Sequence, residues 1–372
     1  MKKTNLAEQL HRHGITHLLL DGRNTKQKQA WAAKHGLTLL SNDARWQQRL
    51  EDKGEFHNLL TSHDFLLPMG RLVRSFDEAR QLPFKSMVLQ VPDSNGGLGT
   101  CLLNDVSEIE DVVQERQMSF PLLARQWIPD GLPIGVTLIV GTTGAVVSAL
   151  RLQVNAWDGR GRHTFFGIQW LPSSIFRAKL LDHLSGELVR LADVLRSEGF
   201  RGIANFDLIL KDDKWYFIEC NPRLSAATPT LCLLTELLHG LSFIDVFADA
   251  IEGRALPVHA NRIPDTQYEG STIIPDFIAL TQEGKAIENV LPVGCCVQRD
   301  GTFVLRSFDV RDVLHPDTFF IYHDLRRGDR ITLDGFLGFY LLHHPVASLG
   351  ASPVLTESGR VLIEHLAASF VR

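Results

Sequence analysis

The chain is predicted to adopt a mixed fold, α/β at its start and α+β beyond, on three observations. Helical and strand patterns alternate between Leu6 and Leu40. Two apolar strands joined by a short polar turn fill residues 203–221. After Pro257, short apolar segments are punctuated by Gly, Pro and Asp. A chain of 372 residues holds two or three units at roughly 100–200 residues each. The pattern divides it into 1–65, a short α/β unit, 66–255, two mixed lobes, and 256–372, a β-rich or α+β region. With 44% hydrophobic and 22% charged residues, it has the composition of a globular protein with a sizeable core. A formal charge of −5 gives no footprint for nucleic acid or an anionic membrane, and neither is expected as a partner. No apolar run reaches the ~18 residues of a membrane span. The start, Met1–Gly14, is basic but lacks an apolar signal core, so export is not expected. Five scattered cysteines without metal-ligand spacing point to a reducing, cytoplasmic setting.

The elements follow in order. Leu6–His13 reads as helix, Ile15–Leu20 as strand, Lys26–His35 as helix and Leu37–Leu40 as strand, the alternation of a parallel α/β unit. Two helical stretches follow, near Asp43–Leu50 and Asp52–Ser62, and Pro68 ends this part. Ser75 or Asp77 caps a helix running to Gln81. Met87–Val91 and Cys101–Leu103 are strands around the glycine-rich turn Asp93–Thr100. Val106–Gln117 is an amphipathic helix, and Leu122–Ile128 is a strand. Strands Gly135–Val140 and Ala145–Val154 flank Gly141–Gly144, and a long helix covers Ser173–Glu198. Helix returns over Leu231–Glu252. Thr272–Ile278, Gly294–Gln298, Thr302–Arg306 and Thr318–His323 are short apolar segments, and Ser358–Phe370 is a closing helix.

The chemistry concentrates in the acidic hairpin. Each strand carries one acid in an apolar run, Asp207 in the first and Glu219 in the second. A three-residue turn at Asp212–Lys214 would set the two acids face to face. Like charges opposed across a ladder are destabilising, and buried carboxylates are costly unless paired or bound to metal. A divalent cation relieves both problems, and Asn221 adds an oxygen ligand beside Arg223. Two carboxylates, an amide and an arginine suit a magnesium–polyphosphate complex. An edge hairpin with its acids on a wet face is the plain alternative.

Ser94-Asn95-Gly96-Gly97-Leu98-Gly99-Thr100 lies between two strand patterns. Glycines let backbone N–H groups approach phosphate oxygens closely; a simple hairpin turn fits the same residues. No Gly-Lys-Ser/Thr follows, so this is not a P-loop. The next element is strand rather than helix, so it is not a dinucleotide fingerprint either. Along the chain come Glu51-Asp52-Lys53 opening a helix, then Met87-Val88-Leu89-Gln90 with the glycine loop. Leu123-Ala124-Arg125-Gln126-Trp127-Ile128 follows, and the acidic hairpin closes in Asn221-Pro222-Arg223. This order resembles the ATP-grasp superfamily over roughly residues 45–255.

The resemblance implies an ATP-grasp fold in which two α+β lobes clamp ATP behind a short pre-ATP-grasp-like unit. It implies ATP and magnesium, with manganese as a substitute, and makes Asp207, Glu219 and Asn221 ligands of one or two ions. Arg223 then holds the reacting phosphate or acyl phosphate, and Lys53 contacts the ATP phosphates. Amides around Gly96, Gly97 and Gly99 cover those phosphates. The segment Arg125, Gln126, Trp127 and Ile128 becomes the linker strand that holds adenine. One position departs from the family: the strand before the glycine loop usually ends in a phosphate-binding lysine, and here it ends in Gln90. Its amide donates hydrogen bonds but brings no charge.

The family chemistry phosphorylates a carboxylate with ATP, and a nucleophile then displaces phosphate. Biotin-carboxylase-like members carry a catalytic acid shortly after the motif arginine, whereas Leu224–Thr228 contains none. An amine acceptor is therefore expected, making the chain an ADP-forming carboxylate–amine ligase for a small amino-acid-like or peptide substrate. Arg151 sits inside a strand pattern ahead of Arg160, Arg162 and His163, and is expected to bind a substrate carboxylate or the phosphates; Ser225 is a further substrate contact. The expected partners are a small carboxylate and an amine, with a homodimer as the family's common assembly. Gln90 leaves open a nucleotide-binding regulatory or scaffold protein without turnover, and the fold alone leaves open a thiol acceptor or kinase chemistry.

Overall fold

The computed structural model describes residues 6–20, 22–94, 99–157, 163–278, 282–299, 302–332, 337–349 and 354–370. The N-terminal unit is α1 (Leu6–Arg12), β1 (His17–Leu19), α2 (Lys26–Lys34) and β2 (Thr38–Leu40), with β1 and β2 parallel. Helices α3 (Ala44–Glu51) and α4 (Lys53–Ser62) meet at Asp52, which ends the first and caps the second by accepting from Glu55 N–H at 2.9 Å. A four-stranded antiparallel sheet follows, in the order β3 (Gly70–Val73), β6 (Leu122–Gln126), β4 (Met87–Gln90), β5 (Thr100–Leu103). Helices α5 (Phe76–Arg80) and α6 (Ile109–Glu115) bury one face of it around Met87, Leu89, Leu103 and Ile109.

The chain then enters an eleven-stranded sheet. Its strands β7 (Leu132–Val140), β8 (Ala145–Val147), β9 (Arg151–Trp157), β10 (His163–Trp170), β11 (Gly202–Lys211) and β12 (Lys214–Asn221) are joined by β13 (Ser271–Ile273), β14 (Gly294–Arg299), β15 (Thr302–Ser307), β16 (Thr318–Tyr322) and β17 (Phe339–Leu342). The backbone path runs β12-β11-β7-β9-β10-β13-β17-β16-β14-β15, with β8 on β7. The segment after Pro257 therefore continues the same sheet through the β10–β13 pair.

Period-two patterning sets the layers. On β11, Ala204, Phe206 and Leu208 face one side, with Val136 and Leu138 of β7, and meet Leu184, Leu188, Leu191 and Leu195 of α7 (Ala178–Ser197). Each such buried leucine contributes roughly 1.5–3 kcal/mol. Ile203 faces the other side, against α8 (Thr228–His239) and α9 (Phe243–Ile251), and the same face further along carries Asn205 and Asp207. The expected helix Leu231–Glu252 divides because Gly240 takes φ +65° at the end of α8 and Ser242 caps α9. The expected strand Ala145–Val154 likewise divides into β8 and β9. Among the described residues no single helix is long and apolar enough to cross a membrane.

The N-terminal unit is keyed to the large sheet by Asn42, which is fully buried. Its Nδ2 donates to Ile203 O at 2.6 Å and Pro222 O at 2.7 Å, and its Oδ1 accepts from Ile203 N at 2.9 Å. Gly202, at φ +125°, leaves the space: a Cβ there would lie 2.0 Å from Asn42 Oδ1.

Candidate functional site

The acidic hairpin is built differently from the sequence expectation and reaches the same juxtaposition. Its turn has two central residues, not three, and Asp212 and Asp213 take φ +49° and +59°. That left-handed pair is the type I′ turn whose twist matches the strands. It pairs Lys211 with Lys214 and Leu208 with Phe217, a register that would bring Asp207 opposite Ile218. A β-bulge at that point inserts Ile218 and pairs Asp207 with Glu219. The bulge also sets the face. Trp215 and Phe217 point into the core, strict alternation would bury Glu219 beside them, and the extra residue brings Glu219 out next to Asp207.

Burial and the facing Glu219 carboxylate push the Asp207 carboxyl well above the usual carboxylate range, against the pull of Arg151 and Gln153. Glu219 is also penalised by burial, but the charge of Lys53, hydrogen bonds with Asp207 and Asn221, and the charge of Arg125 outweigh that and hold it below its usual value. Of the two, Asp207 is therefore the acid that takes a proton more readily. Asn221 Nδ2 lies 3.4 Å from Asp207 Oδ2 and 3.3 Å from Glu219 Oε1, so a donor already stands between the acids. Among the described residues no cluster of three or more His, Cys, Asp or Glu could hold a metal. The acid pair with an amide is a sparse oxygen set of the kind magnesium uses when phosphates complete its shell.

Cations ring the acids. Lys53, 5% exposed, places Nζ 3.6 Å from Glu219 Oε2 and donates to Ser94 O, tying α4 to the turn that leads into Gly99. Its backbone N–H donates to Pro92 O at 3.1 Å. Gly99 O accepts from Val91 N at 2.9 Å, and a Cβ at Gly99 would lie 2.4 Å from Ser94 Oγ, so the close approach requires glycine. Gly96 and Gly97 lie outside the described residues.

Gln90 and Arg125 stand on neighbouring strands and act together. Val88 faces Arg125 across the β4–β6 ladder, so Gln90, two residues on, lies diagonally on the same face. Gln90 Oε1 accepts from Arg125 Nη2, and Arg125 Nη1 donates to Ile218 O at 2.7 Å. The bulged carbonyl thus anchors a guanidinium from the smaller sheet, whose charge acts on Glu219. Burial lowers the Arg125 pKa to about 10. Sequence alone assigns Arg125 to the adenine strand; the geometry carries its side chain toward the acids instead. Gln126 N donates to Met69 O at 2.7 Å and Trp127 N to Ser86 O at 3.2 Å; both residues and Ile128 are half-buried where β6 leaves the smaller sheet for β7.

Arg151 is 4% exposed and lies across β7. Gly135, its ladder partner, has no Cβ to block it: one there would lie 2.8 Å from Arg151 Nε. Nη1 donates to Thr137 Oγ1 at 2.9 Å and Nη2 to Asn205 Oδ1 at 3.2 Å. Asn205 Nδ2 in turn donates to Asn221 O at 3.1 Å and Arg223 O at 2.7 Å. Arg151 therefore supports the Asn221–Arg223 backbone from below, and its pKa, lowered to about 10 by burial, is partly restored by Asp207. Gln153, two residues along β9, donates to Asp207 Oδ1. Arg223 Nη2 lies 3.5 Å from Asn221 Oδ1. Ser225 Oγ accepts from Ala227 N at 3.3 Å at the entry to α8. Sequence reasoning missed Gln153, Thr137 and Asn205. The legible trace was alternation: Asn205 and Asp207, polar and two apart, share a face between apolar neighbours.

The arrangement can bind a polyphosphate and its cation between the two sheets. Comparison with known proteins bears on the fold that carries it. Residues 50–227 match the ATP-grasp domain family. The carbamoyl phosphate synthase arginine-specific large chain of Geobacillus stearothermophilus is 24% identical over 241 residues, covering 60% of this chain and 22% of that protein. This chain thus matches about a fifth of that relative's length. The biotin carboxylase domain dimer of Hydrogenobacter thermophilus 2-oxoglutarate carboxylase, solved with MgADP and bicarbonate, superposes with a TM-score of 0.65 at 13% identity over 91% of this chain and 73% of that one. The L-amino acid ligase of Bacillus licheniformis superposes with a TM-score of 0.57 at 15% identity, covering 91% of this chain and 76% of the ligase. Coverage of this extent reaches into the segment after Pro257.

Proposed function

From a chain whose residues 50–227 form an ATP-grasp domain, we propose an ADP-forming carboxylate–amine ligase acting on a small amino-acid-like or peptide substrate. The observation that carries the proposal is the facing Asp207–Glu219 pair with Asn221 between them and cations on every side. Asp207, Glu219 and, after its amide turns over, Asn221 Oδ1 would hold magnesium. Bound magnesium supplies charge neutralisation at the phosphates. Lys53 and Arg125 approach Glu219 from the glycine-loop side, where the β- and γ-phosphates of ATP would lie. Arg125, held by Gln90, supplies the cation that position 90 lacks. This favours turnover over a scaffold role. Gln126 and Trp127 use their N–H groups internally, so adenine would meet the Gln126 carbonyl and the N–H of Ile128. Arg223 faces the transferred phosphate, and Arg151 positions it through Asn205.

Chemistry follows from positioning and charge rather than from a protein nucleophile. A substrate carboxylate oxygen attacks the γ-phosphorus, ADP leaves, and an acyl phosphate forms. An amine attacks its carbonyl carbon, loses a proton, and phosphate departs. The absence of an acid in Leu224–Thr228 favours an amine over bicarbonate. The L-amino acid ligase likeness supports the same choice, and the dimer among the carboxylase relatives makes a homodimer in the cytoplasm part of the reading.

The test is an ADP-release screen over pairs of amino acids and other carboxylates, with mass analysis of products. An amide product whose formation is abolished by Glu219→Ala supports the proposal. A phosphorylated product or a thioester replaces it with kinase or thiol-acceptor chemistry. Tight ATP binding with no release across the panel leaves the scaffold reading standing.

A further inference from the structure

Glu51 ends α3 with its side chain 5% exposed, and each of its oxygens meets an arginine. Oε1 accepts from Arg223 Nε at 2.6 Å, and Oε2 lies 2.6 Å from Arg23 Nε in an ion pair. Arg23 comes from the N-terminal unit, beside buried Asn24, and reaches on to Asp93 Oδ1 at 3.1 Å. It therefore touches both the start of the glycine-loop turn and the partner of Arg223.

A buried carboxylate facing a single arginine would cancel its charge. Shared between two, it leaves a net positive centre, and Asp93, 73% exposed, is too well screened by water to remove it. Glu51 holds Arg223 by Nε rather than by its terminal nitrogens, so the Nη1–Nη2 edge can turn to a bidentate contact with an oxyanion. Those nitrogens point to the metal-ligand side, with Nη2 3.5 Å from Asn221 Oδ1. We propose that Glu51 is a positioning residue that aims Arg223 at the transferred phosphate, and that Arg23 is the second cation that keeps the aimed arginine net positive. The inference deepens the ligase reading and rests on it. It also gives the N-terminal unit a part in the chemistry that its distance in sequence conceals.

The test uses the full chain, MgADP and inorganic phosphate as probes, and titration calorimetry. MgADP is bound first and phosphate is then titrated onto the complex. Glu51→Gln keeps volume and removes charge. Coulomb attraction alone predicts tighter phosphate in this variant, because a negative group has gone. Positioning predicts phosphate weaker by about tenfold, the loss of one aimed charge-assisted contact, with MgADP affinity held within about twofold. Arg23→Gln is expected to weaken phosphate by a similar factor. It lies at a more exposed position and serves if Glu51→Gln fails to fold. Unchanged or tighter phosphate binding in either variant overturns the proposal, as does a parallel loss of MgADP affinity. A wild-type complex that binds MgADP but no phosphate overturns it as well. Wild type that binds no MgADP fails differently: it removes the ligase reading, and this inference with it.

Discussion

Asp207 gives up its proton less readily in the folded chain than in the unfolded one. Burial and the opposing Glu219 raise its pKa in the folded, metal-free protein. The folded state therefore binds this proton more tightly than the unfolded one. The associated stability is fully present below the ordinary carboxyl value and is lost as pH rises through the raised one. Asp207→Asn removes that loss, since an amide still accepts from Gln153 and donates to Glu219. At about pH 8 without divalent ions, the variant is expected to melt a few degrees above wild type, in the range of a roughly 0.5–2 kcal/mol gain, while losing ATP turnover. Thermal melts and an ADP assay check both halves; a variant that melts lower would contradict the strain assigned to the pair. The same upward shift makes manganese affinity rise with pH, with protons released on binding. Calorimetry in buffers of different ionisation enthalpy measures that release. At this scale the acids were legible because each interrupts an apolar run. Arg151 was legible as a strand arginine but not as a support for Asn221 and Arg223. That role depends on Gly135 across the ladder, and one strand does not announce its neighbour's missing Cβ. Glu51 read only as part of the Glu51-Asp52-Lys53 segment that opens a helix, because its two arginines come from 28 residues before it and 172 after it.

The hairpin shows how an element can reach an expected juxtaposition by an unexpected route. The polar run Lys211–Lys214 marks a turn, but nothing in it distinguishes two central residues from three. The two-residue turn and the bulge at Ile218 each move the register by one, and the shifts compensate. Neither Ile218 nor its neighbours carry a glycine that would betray a bulge. Asp212 and Asp213 both sit at positive φ, a conformation asparagine and glycine adopt at lower cost. The double change Asp212→Asn with Asp213→Gly is expected to stabilise the protein by roughly 0.5–1 kcal/mol. It gives up only an exposed contact of Asp213 with Arg177, and activity should be unaffected. Denaturant unfolding measures it, and a loss of stability would contradict the turn type.

Across the whole molecule, the composition change after Pro257 marks a change of pattern, while the sheet carries on. β13 pairs with β10, and β17, β16, β14 and β15 extend from it. The alternating start and the mixed lobes were legible from periodicity. The long-range pairing of β10 with β13 was not, because no local signal links strands about 100 residues apart. Ending the chain at residue 255 would leave the β10 edge unpaired and the apolar side chains of the large core without cover. Such a fragment is expected in the insoluble fraction, with the full chain soluble under the same expression. A monodisperse, cooperatively melting 1–255 fragment would contradict this account of the sheet.

The central claim is that Asp207, Glu219 and Asn221 bind ATP through a divalent cation. It is tested most directly by calorimetric titration of ATP into wild type and Glu219→Gln, each with magnesium and with a chelator. The account predicts ATP binding by wild type that depends on magnesium, and loss of that dependence in Glu219→Gln. ATP binding of equal strength with and without magnesium in wild type, or an undiminished magnesium effect in the variant, would contradict it.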